Sequence, residues 1–270
     1  MARNAHNGYG QGMPELPDVE GFRRVLAEHA GDRIRSVEVH DAGVLRGVSG
    51  QRLGRALRGH RFEEPRRWGK WLVAPAEGPV LIFHFGMTGS LSWHPAGEPE
   101  HRHDRVVWRL DGGELRFRDM RKLQGVRLAR DERDAERLLA GLGPDALEVS
   151  RDDLAGLLAE RRGRLKTALT DQSVIAGLGN LLADEICWRA RIAPLRPARD
   201  LGEGEVRALH RAMRDVLRSS VKAERVPPRR TWLTGARDVP EGACPRCGTP
   251  LSRRRSSGRT TVWCRTCQPG

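Results

Sequence analysis

Four cysteines near the C-terminus constrain this chain more than any other feature. Cys244 and Cys247 form one C-x-x-C pair, Cys264 and Cys267 a second, and sixteen residues lie between the pairs. That spacing suits four thiolates converging tetrahedrally on one structural zinc ion. Two disulfides would use the same residues, but the first dozen residues hold no apolar signal core, and disulfides are rare in a reducing compartment. The intervening TPLSRRRSSGRTTVW reads as a β-hairpin, with Gly258 available for the turn and Thr261, Val262 and Trp263 leading into the second pair. From Cys244 to Gly270 there are six arginines and no acids. Four thiolates on Zn²⁺ return only about two negative charges, so the ribbon stays basic. The fifth cysteine, Cys187, sits apart in ADEICWRARI and reads as a small buried hydrophobe.

Basicity extends to the whole chain. Its 270 residues carry 48 Lys+Arg against 35 Asp+Glu, a net charge of +13. That balance favours a polyanionic partner, nucleic acid first and an acidic membrane surface second. No stretch approaches the roughly 18 consecutive apolar residues of a spanning helix, so a soluble, cytoplasmic protein is expected. With 38% hydrophobic and 31% charged residues, wholesale disorder is excluded. Only four of the basic residues are lysines: Lys70, Lys122, Lys166 and Lys222. A lysine kept where arginine is the default points to a need for its compact, orientable ammonium.

Upstream of the cysteines the texture changes twice. From Arg33 to Leu128 short strand-like runs follow one another: Ile34, Val37 and Val39, then KWLVA, VLIFHF, RVVWRL and ELRFRD, broken by Gly, Pro and Asp-Gly-Gly. Successive strands without intervening helices predict a β-sandwich or barrel. Ahead of them, Pro17 followed by Val19, Phe22, Val25 and Leu26 predicts a helix with proline in its first turn. From Asp131 to Lys222 helical spacing takes over, as in Leu154, Leu157 and Leu158 or Val206, Leu209, Met213, Val216 and Leu217. Residues 223–243, rich in Pro, Arg and Gly, read as a linker loop. Gly177, Leu178, Gly179 and Asn180 stand just before an amphipathic stretch, which fits either an anion-binding helix start or a tight turn between helices.

PELPDVEG, Pro14–Gly21, is on its own a proline-punctuated helix start with acids at its N-terminal end. Together with RRWGKW around Lys70, HFGMTG around Met87, FRDMRK around Arg121, AGLGNLLADE around Asn180 and the four-cysteine ribbon, it falls in the order found in one family. The chain resembles the bacterial formamidopyrimidine-DNA glycosylases, a family that includes endonuclease VIII, over essentially everything from Met13 to Gln268. The PELP opening leans towards the formamidopyrimidine branch.

The resemblance implies an α+β protein. An N-terminal catalytic β-sandwich opened by a helix would occupy residues 13–130, and a helix-two-turn-helix DNA-binding domain residues 131–225. A linker and zinc ribbon would follow over residues 226–270, with DNA in the basic cleft between the domains. Residues 1–12 would be a leader outside the working enzyme. It further implies a monomeric, nucleoid-associated bifunctional glycosylase and AP lyase of base excision repair, acting on damaged double-stranded DNA. Pro14 would be the N-terminal amine that attacks C1′, Glu15 the acid at the deoxyribose ring oxygen, and Lys70 a contact to the phosphate at the lesion. Asn180 with its helix start, and Arg259 of the ribbon, would grip flanking phosphates. Arg161, Lys166 and His103 match further DNA-contacting positions. Met87, Arg121 and Leu123 map onto the trio that fills the gap left by an extruded base.

Three departures stand out. Leu123 replaces the usual phenylalanine. RTWLTGARDVPEGAC is short and lacks the tyrosine-containing run of the loop that closes over 8-oxoguanine. Twelve residues precede Met13, and an internal Pro14 nitrogen could form no iminium. The alternatives are an endonuclease VIII-like preference for oxidised pyrimidines, or a DNA-binding protein without glycosylase chemistry.

Overall fold

The computed structural model describes residues 13–256 and 258–270, so the expected leader lies outside the described residues. Two compact units emerge: one over residues 18–141, the other over residues 142–270 together with Glu15–Pro17.

The first unit opens on α1 (Leu16–Ala27), whose first two residues group with the second unit; Pro17 and Asp18 stand in its first turn, where a missing N–H and a negative charge are both tolerated or favoured. Its Val19, Phe22 and Leu26 share one face and are buried. Next come β1 (Ser36–Val39) and α2 (Gly50–Leu57), the latter capped by Ser49, whose hydroxyl accepts the Arg52 N–H. Seven strands follow: β2 (Arg66–Trp68), β3 (Trp71–Pro75), β4 (Val80–His84), β5 (Ser90–Pro95), β6 (Asp104–Arg109), β7 (Gly113–Arg118) and β8 (Gly125–Ala129), before α3 (Glu132–Leu139).

All pairings are antiparallel and form two four-stranded sheets, β1-β6-β7-β5 and β2-β3-β4-β8. Period-two alternation decides what each face does. Leu81 and Phe83 of β4 meet Val106, Trp108, Leu115 and Phe117 of the other sheet in one core, with Phe83 5.5 Å from the Trp108 ring. Val80 and Ile82 point the other way, onto Ala135 of α3. Truncating Phe83 to Ala would cost about 3–5 kcal/mol in such a core.

The second unit holds α4 (Arg151–Ala159), α5 (Leu165–Thr170), α6 (Asn180–Ala190), α7 (Glu203–Ala223), the short α8 (Leu233–Ala236) and the hairpin β9 (Ser252–Ser256) with β10 (Arg259–Trp263). Val206, Leu209, Met213, Val216 and Leu217 of α7 line a core with Leu182 and Ile186 of α6 and with Leu16, whose backbone N–H donates to Gly177 O at 3.1 Å. Gly258, at φ +75, makes the hairpin turn that the sequence assigns to it. Residues 223–243 are more anchored than a linker: Trp232 and Leu233 are buried, Leu233 against Trp188, Cys244 and Val262. Among the described residues no helix is long and apolar enough to cross a membrane.

Candidate nucleic-acid interface and metal centre

The start of α6 is an anion site, and its anion is the chain's own Glu15. The buried Glu15 carboxylate accepts N–H groups from Gly179 (2.9 Å), Leu181 (2.8 Å) and Leu182 (3.1 Å). These are the unpaired donors at the positive end of a helix dipole. The glycines make room for it. A Cβ on Gly179 would lie 2.3 Å from the Glu15 carboxyl carbon, and one on Gly177, at φ +113, would lie 2.6 Å from Leu16 Cδ1. Three amides of this helix start are therefore engaged by Glu15, and the half-buried Asn180 stands among them.

The four cysteine Sγ atoms lie within 4.8 Å of one another. Their closest separations are 3.4 Å (Cys247 to Cys267), 3.5 Å (Cys247 to Cys264) and 3.9 Å (Cys244 to Cys267). A zinc ion bound at about 2.3 Å by four sulfurs needs tetrahedral edges near 3.8 Å, so the donor set fits. The metal site abuts α6: Trp188 Nε1 donates to Cys244 Sγ at 3.3 Å, and the Arg246 guanidinium stacks 4.2 Å from the Trp188 ring centre. Cys187 is fully buried, and burial pushes its thiol well up.

A second anchor holds the hairpin. Asp184 of α6 is fully buried; its Oδ2 accepts Arg237 Nε (3.0 Å) and Val262 N–H (3.2 Å), and its Oδ1 lies 2.6 Å from Lys166 Nζ. Lys166 and Arg237 each also donate to Thr260 O at 2.9 Å. Burial pushes the Asp184 carboxyl up and the Lys166 amine down, and the opposite charges work against both shifts. Lys166 is 5% exposed and engaged on both sides. Its ammonium holds the hairpin strand. Arg259, next to Thr260, stays exposed, with one nitrogen 3.1 Å from Thr170 Oγ1. Arg161 is half-buried beyond α4, its Nε without a hydrogen-bond partner among the described residues.

In the first unit Lys70 is 6% exposed, in the turn that joins β2 to β3. Burial, with Lys70 and Arg127 nearby, lowers His84 to about 4. Its Nδ1 accepts the Gly86 N–H at 3.0 Å, at the foot of the loop that carries Met87. The Met87 sulfur lies 3.0 Å from an Arg121 guanidinium nitrogen. Met87 is 37% exposed, Leu123 50% and Met120, beside Arg121, 57%. Exposed apolar side chains around an exposed arginine are unusual on a surface this basic. His103 accepts a hydrogen bond at Nδ1 from Arg105 (2.9 Å), and partial burial with neighbouring arginines holds it below the ordinary imidazole range. Pro14 is buried.

Family models match three consecutive stretches: the formamidopyrimidine-DNA glycosylase N-terminal domain over residues 13–126, the H2TH domain of the same proteins over residues 141–228, and a zinc finger found in FPG and IleRS over residues 243–270. Curated relatives named formamidopyrimidine-DNA glycosylase include those of Desulfitobacterium hafniense, 36% identical over 95% of this chain and 100% of the relative, and of Bacillus subtilis strain 168, 33% identical over 95% and 99%.

The chain belongs to the formamidopyrimidine-DNA glycosylase family.

Its fold agrees with that of solved members. A mutant Lactococcus lactis FPG bound to Fapy-dG-containing DNA superposes with a TM-score of 0.87 at 25% identity, over 95% of this chain and 100% of that one. A MutM complex with carbocyclic 8-oxo-G-containing DNA gives the same TM-score, identity and coverage. Within the family frame, the four cysteines form a zinc finger with one structural zinc. Of the residues singled out in the sequence, the structure brings Met87, Arg121 and Leu123 to one exposed tip. It groups Glu15 with the Asn180 helix start, and Lys166 with the Arg259 hairpin. Sequence reading missed Thr88, Asp119, Asp184 and Arg237, each of which acts on a partner far along the chain.

Proposed function

We propose that this chain is a bifunctional DNA glycosylase and AP lyase that excises ring-opened or oxidised bases from duplex DNA. Membership of the family carries the reading, and the intact PELP opening, with Glu15 docked on α6, supports it in this chain. Pro14, as the N-terminal residue, supplies a secondary amine; an α-amino group in a model peptide has a pKa near 8, which leaves a useful nucleophilic fraction at neutral pH. Its nitrogen bonds to C1′ of the damaged nucleotide and sheds its proton, while Glu15 carries a proton to the ring oxygen as the C1′–O bond breaks. The base then leaves with its bonding pair, and the Pro14 nitrogen lone pair closes the C1′=N iminium, which acts as an electron sink. Loss of the C2′ proton expels the 3′ phosphate, and a second elimination expels the 5′ phosphate. Lys70 binds the phosphate at the lesion, while Asn180, Arg161, Arg259 and His103 hold the backbone. Such contacts position the duplex without reading its sequence.

The chemistry requires a free Pro14 nitrogen, and the family match begins at Met13. The experiment compares a form beginning at Pro14 with the full-length chain, each given an abasic-site duplex and borohydride, which reduces an iminium to a stable crosslink. The form beginning at Pro14 is expected to trap DNA, Pro14→Gly in that form to trap it more weakly, and the uncleaved long form to trap none. Equal trapping by the uncleaved long form would make another amine the nucleophile, with Lys70 the first suspect.

For the lesion, the short segment before Cys244 supports ring-opened purines over 8-oxoguanine, because Trp232, Leu233 and Arg237 are committed to the interior. Excision of 8-oxoguanine opposite cytosine faster than every other lesion in a panel would defeat that preference.

A further inference from the structure

The loops that present Met87 and Arg121 are fastened by a buried carboxylate and a hydroxyl. Thr88 directly follows Met87, and Asp119 lies two residues before Arg121. Asp119 is 1% exposed. Its Oδ1 accepts the Thr88 hydroxyl at 2.5 Å and the Arg121 backbone N–H at 3.0 Å, and that same N–H also lies 3.0 Å from Thr88 Oγ1. The clamp is itself anchored. The Asp119 N–H donates to His103 O (3.0 Å), its carbonyl accepts Arg105 Nε (2.7 Å), and the Gly89 N–H donates to O of the buried Phe85 (2.7 Å). The loops also abut at Gly86, at φ +58, where a Cβ would stand 3.4 Å from Gln124 N and 3.8 Å from Leu123 Cβ.

Met87, Met120, Arg121 and Leu123 are all exposed, Met87 least among the three apolar ones. Solvent-exposed side chains of this length change rotamer freely, and ordering them at the moment of binding costs free energy. Hydrogen bonds to a buried carboxylate are among the stronger ones, since charge assists them and low local polarity magnifies them. Here they tie the backbone beside Met87 to the backbone of Arg121, which fixes the spacing at which the sulfur and the guanidinium meet.

We propose that Thr88 and Asp119 are positioning residues that pre-set Met87 and Arg121 as one wedge for the gap left in a duplex when the damaged base leaves the stack. This rests on the reading of Met87 and Arg121 as gap-filling residues. Thr88→Val keeps the side-chain shape and removes the hydroxyl; Thr88→Ser keeps the hydroxyl.

The test is single-turnover processing of two substrates: a lesion in duplex DNA, and an abasic site in a single strand, where there is no base to extrude and no stack to fill. Thr88→Val is expected to slow the duplex reaction about ten-fold, the scale of one lost charge-assisted hydrogen bond. The single-strand reaction should stay within about two-fold, and Thr88→Ser should restore the duplex rate. In a Met87→Ala background Thr88→Val should add little, because the group it positions is gone. Equal slowing of both substrates would mean a general structural defect and would overturn the proposal. So would a wild-type duplex rate for Thr88→Val beside slow Met87→Ala and Arg121→Ala. If Met87→Ala and Arg121→Ala both process the duplex at the wild-type rate, the gap-filling reading itself is wrong and the proposal falls with it.

Discussion

Arg121 and Arg259 are both exposed guanidinium groups, yet their surroundings differ in almost every respect. Arg121 leans on a methionine sulfur and stands among apolar side chains open to water. Its setting is fixed by a single carboxylate, Asp119, and a threonine hydroxyl. Arg259 leans on a threonine hydroxyl, on a hairpin pinned by the zinc cysteines and again by the Lys166, Asp184 and Arg237 cluster. The difference teaches that a basic side chain takes its role from its neighbours. A planar cation among exposed methyl and thioether groups suits the inside of a base stack. One on a doubly anchored polar hairpin suits a phosphate at fixed distance.

The contrast breaks first at the metal. Cys264→Ser, or chelation, is expected to unfold the hairpin and cut affinity for undamaged duplex roughly 100-fold, with the tip around Arg121 unchanged. Metal analysis should find about one zinc per wild-type chain. Full affinity in the metal-free variant would mean that the hairpin does not grip DNA. Next in size, Lys166→Met leaves Asp184 buried beside only one cation and should cost about 3 kcal/mol, read as a lower denaturation midpoint. An unchanged midpoint would strip the second anchor of its importance.

The two arginines themselves separate through salt. Arg259→Ala should make the fall of log K with log salt shallower by about 0.9, the share of one phosphate, whereas Arg121→Ala should leave that slope alone. Equal changes would erase the distinction. The smallest effect concerns acid. His84 titrates at about 4 in the fold against an ordinary 6.5, so the unfolded chain binds the proton first as pH falls. The stability due to neutral His84 is complete above pH 6.5 and is lost as pH falls towards 4. Allowing for its partial exposure, about 1 kcal/mol should go by pH 5, and His84→Gln should flatten that part of the stability profile. Because its Nδ1 accepts the Gly86 N–H, the tip should feel this before the hairpin does.

How much of this was readable in advance follows from sequence distance and burial. The strands seen as apolar runs, β3, β4, β6 and β7, are the interior strands of their sheets. The three that went unnoticed, β2, β5 and β8, are all edge strands of their sheets, and RRW, SLSWHP and GVRLA carry no continuous apolar run. The zinc cysteines were legible because their geometry is written into local spacing. Lys166 was not, since nothing in RLKTAL announces a carboxylate on another helix and a carbonyl in the ribbon. Glu15 was legible as a residue but not in its engagement. The amides that receive it lie 164 to 167 positions away, and only the fold reveals that the two glycines before α6 serve a carboxylate from the chain's own beginning.

The scarcity of lysine has one more outcome, in amine chemistry. Of 48 basic residues only four bear a primary amine on the side chain, and Lys70 and Lys166 are buried. Lys122 is drawn onto Asp41 at 2.9 Å, which leaves Lys222, exposed near the end of α7, as the side-chain amine most open to aldehydes and acylating reagents. Arginine supplies the attraction to a polyanion without competing for carbonyl carbons. On the lyase chemistry proposed above, a protein so composed would meet opened sugars with few stray sites for adduct formation, a clean background against which a single reacting nitrogen could be counted.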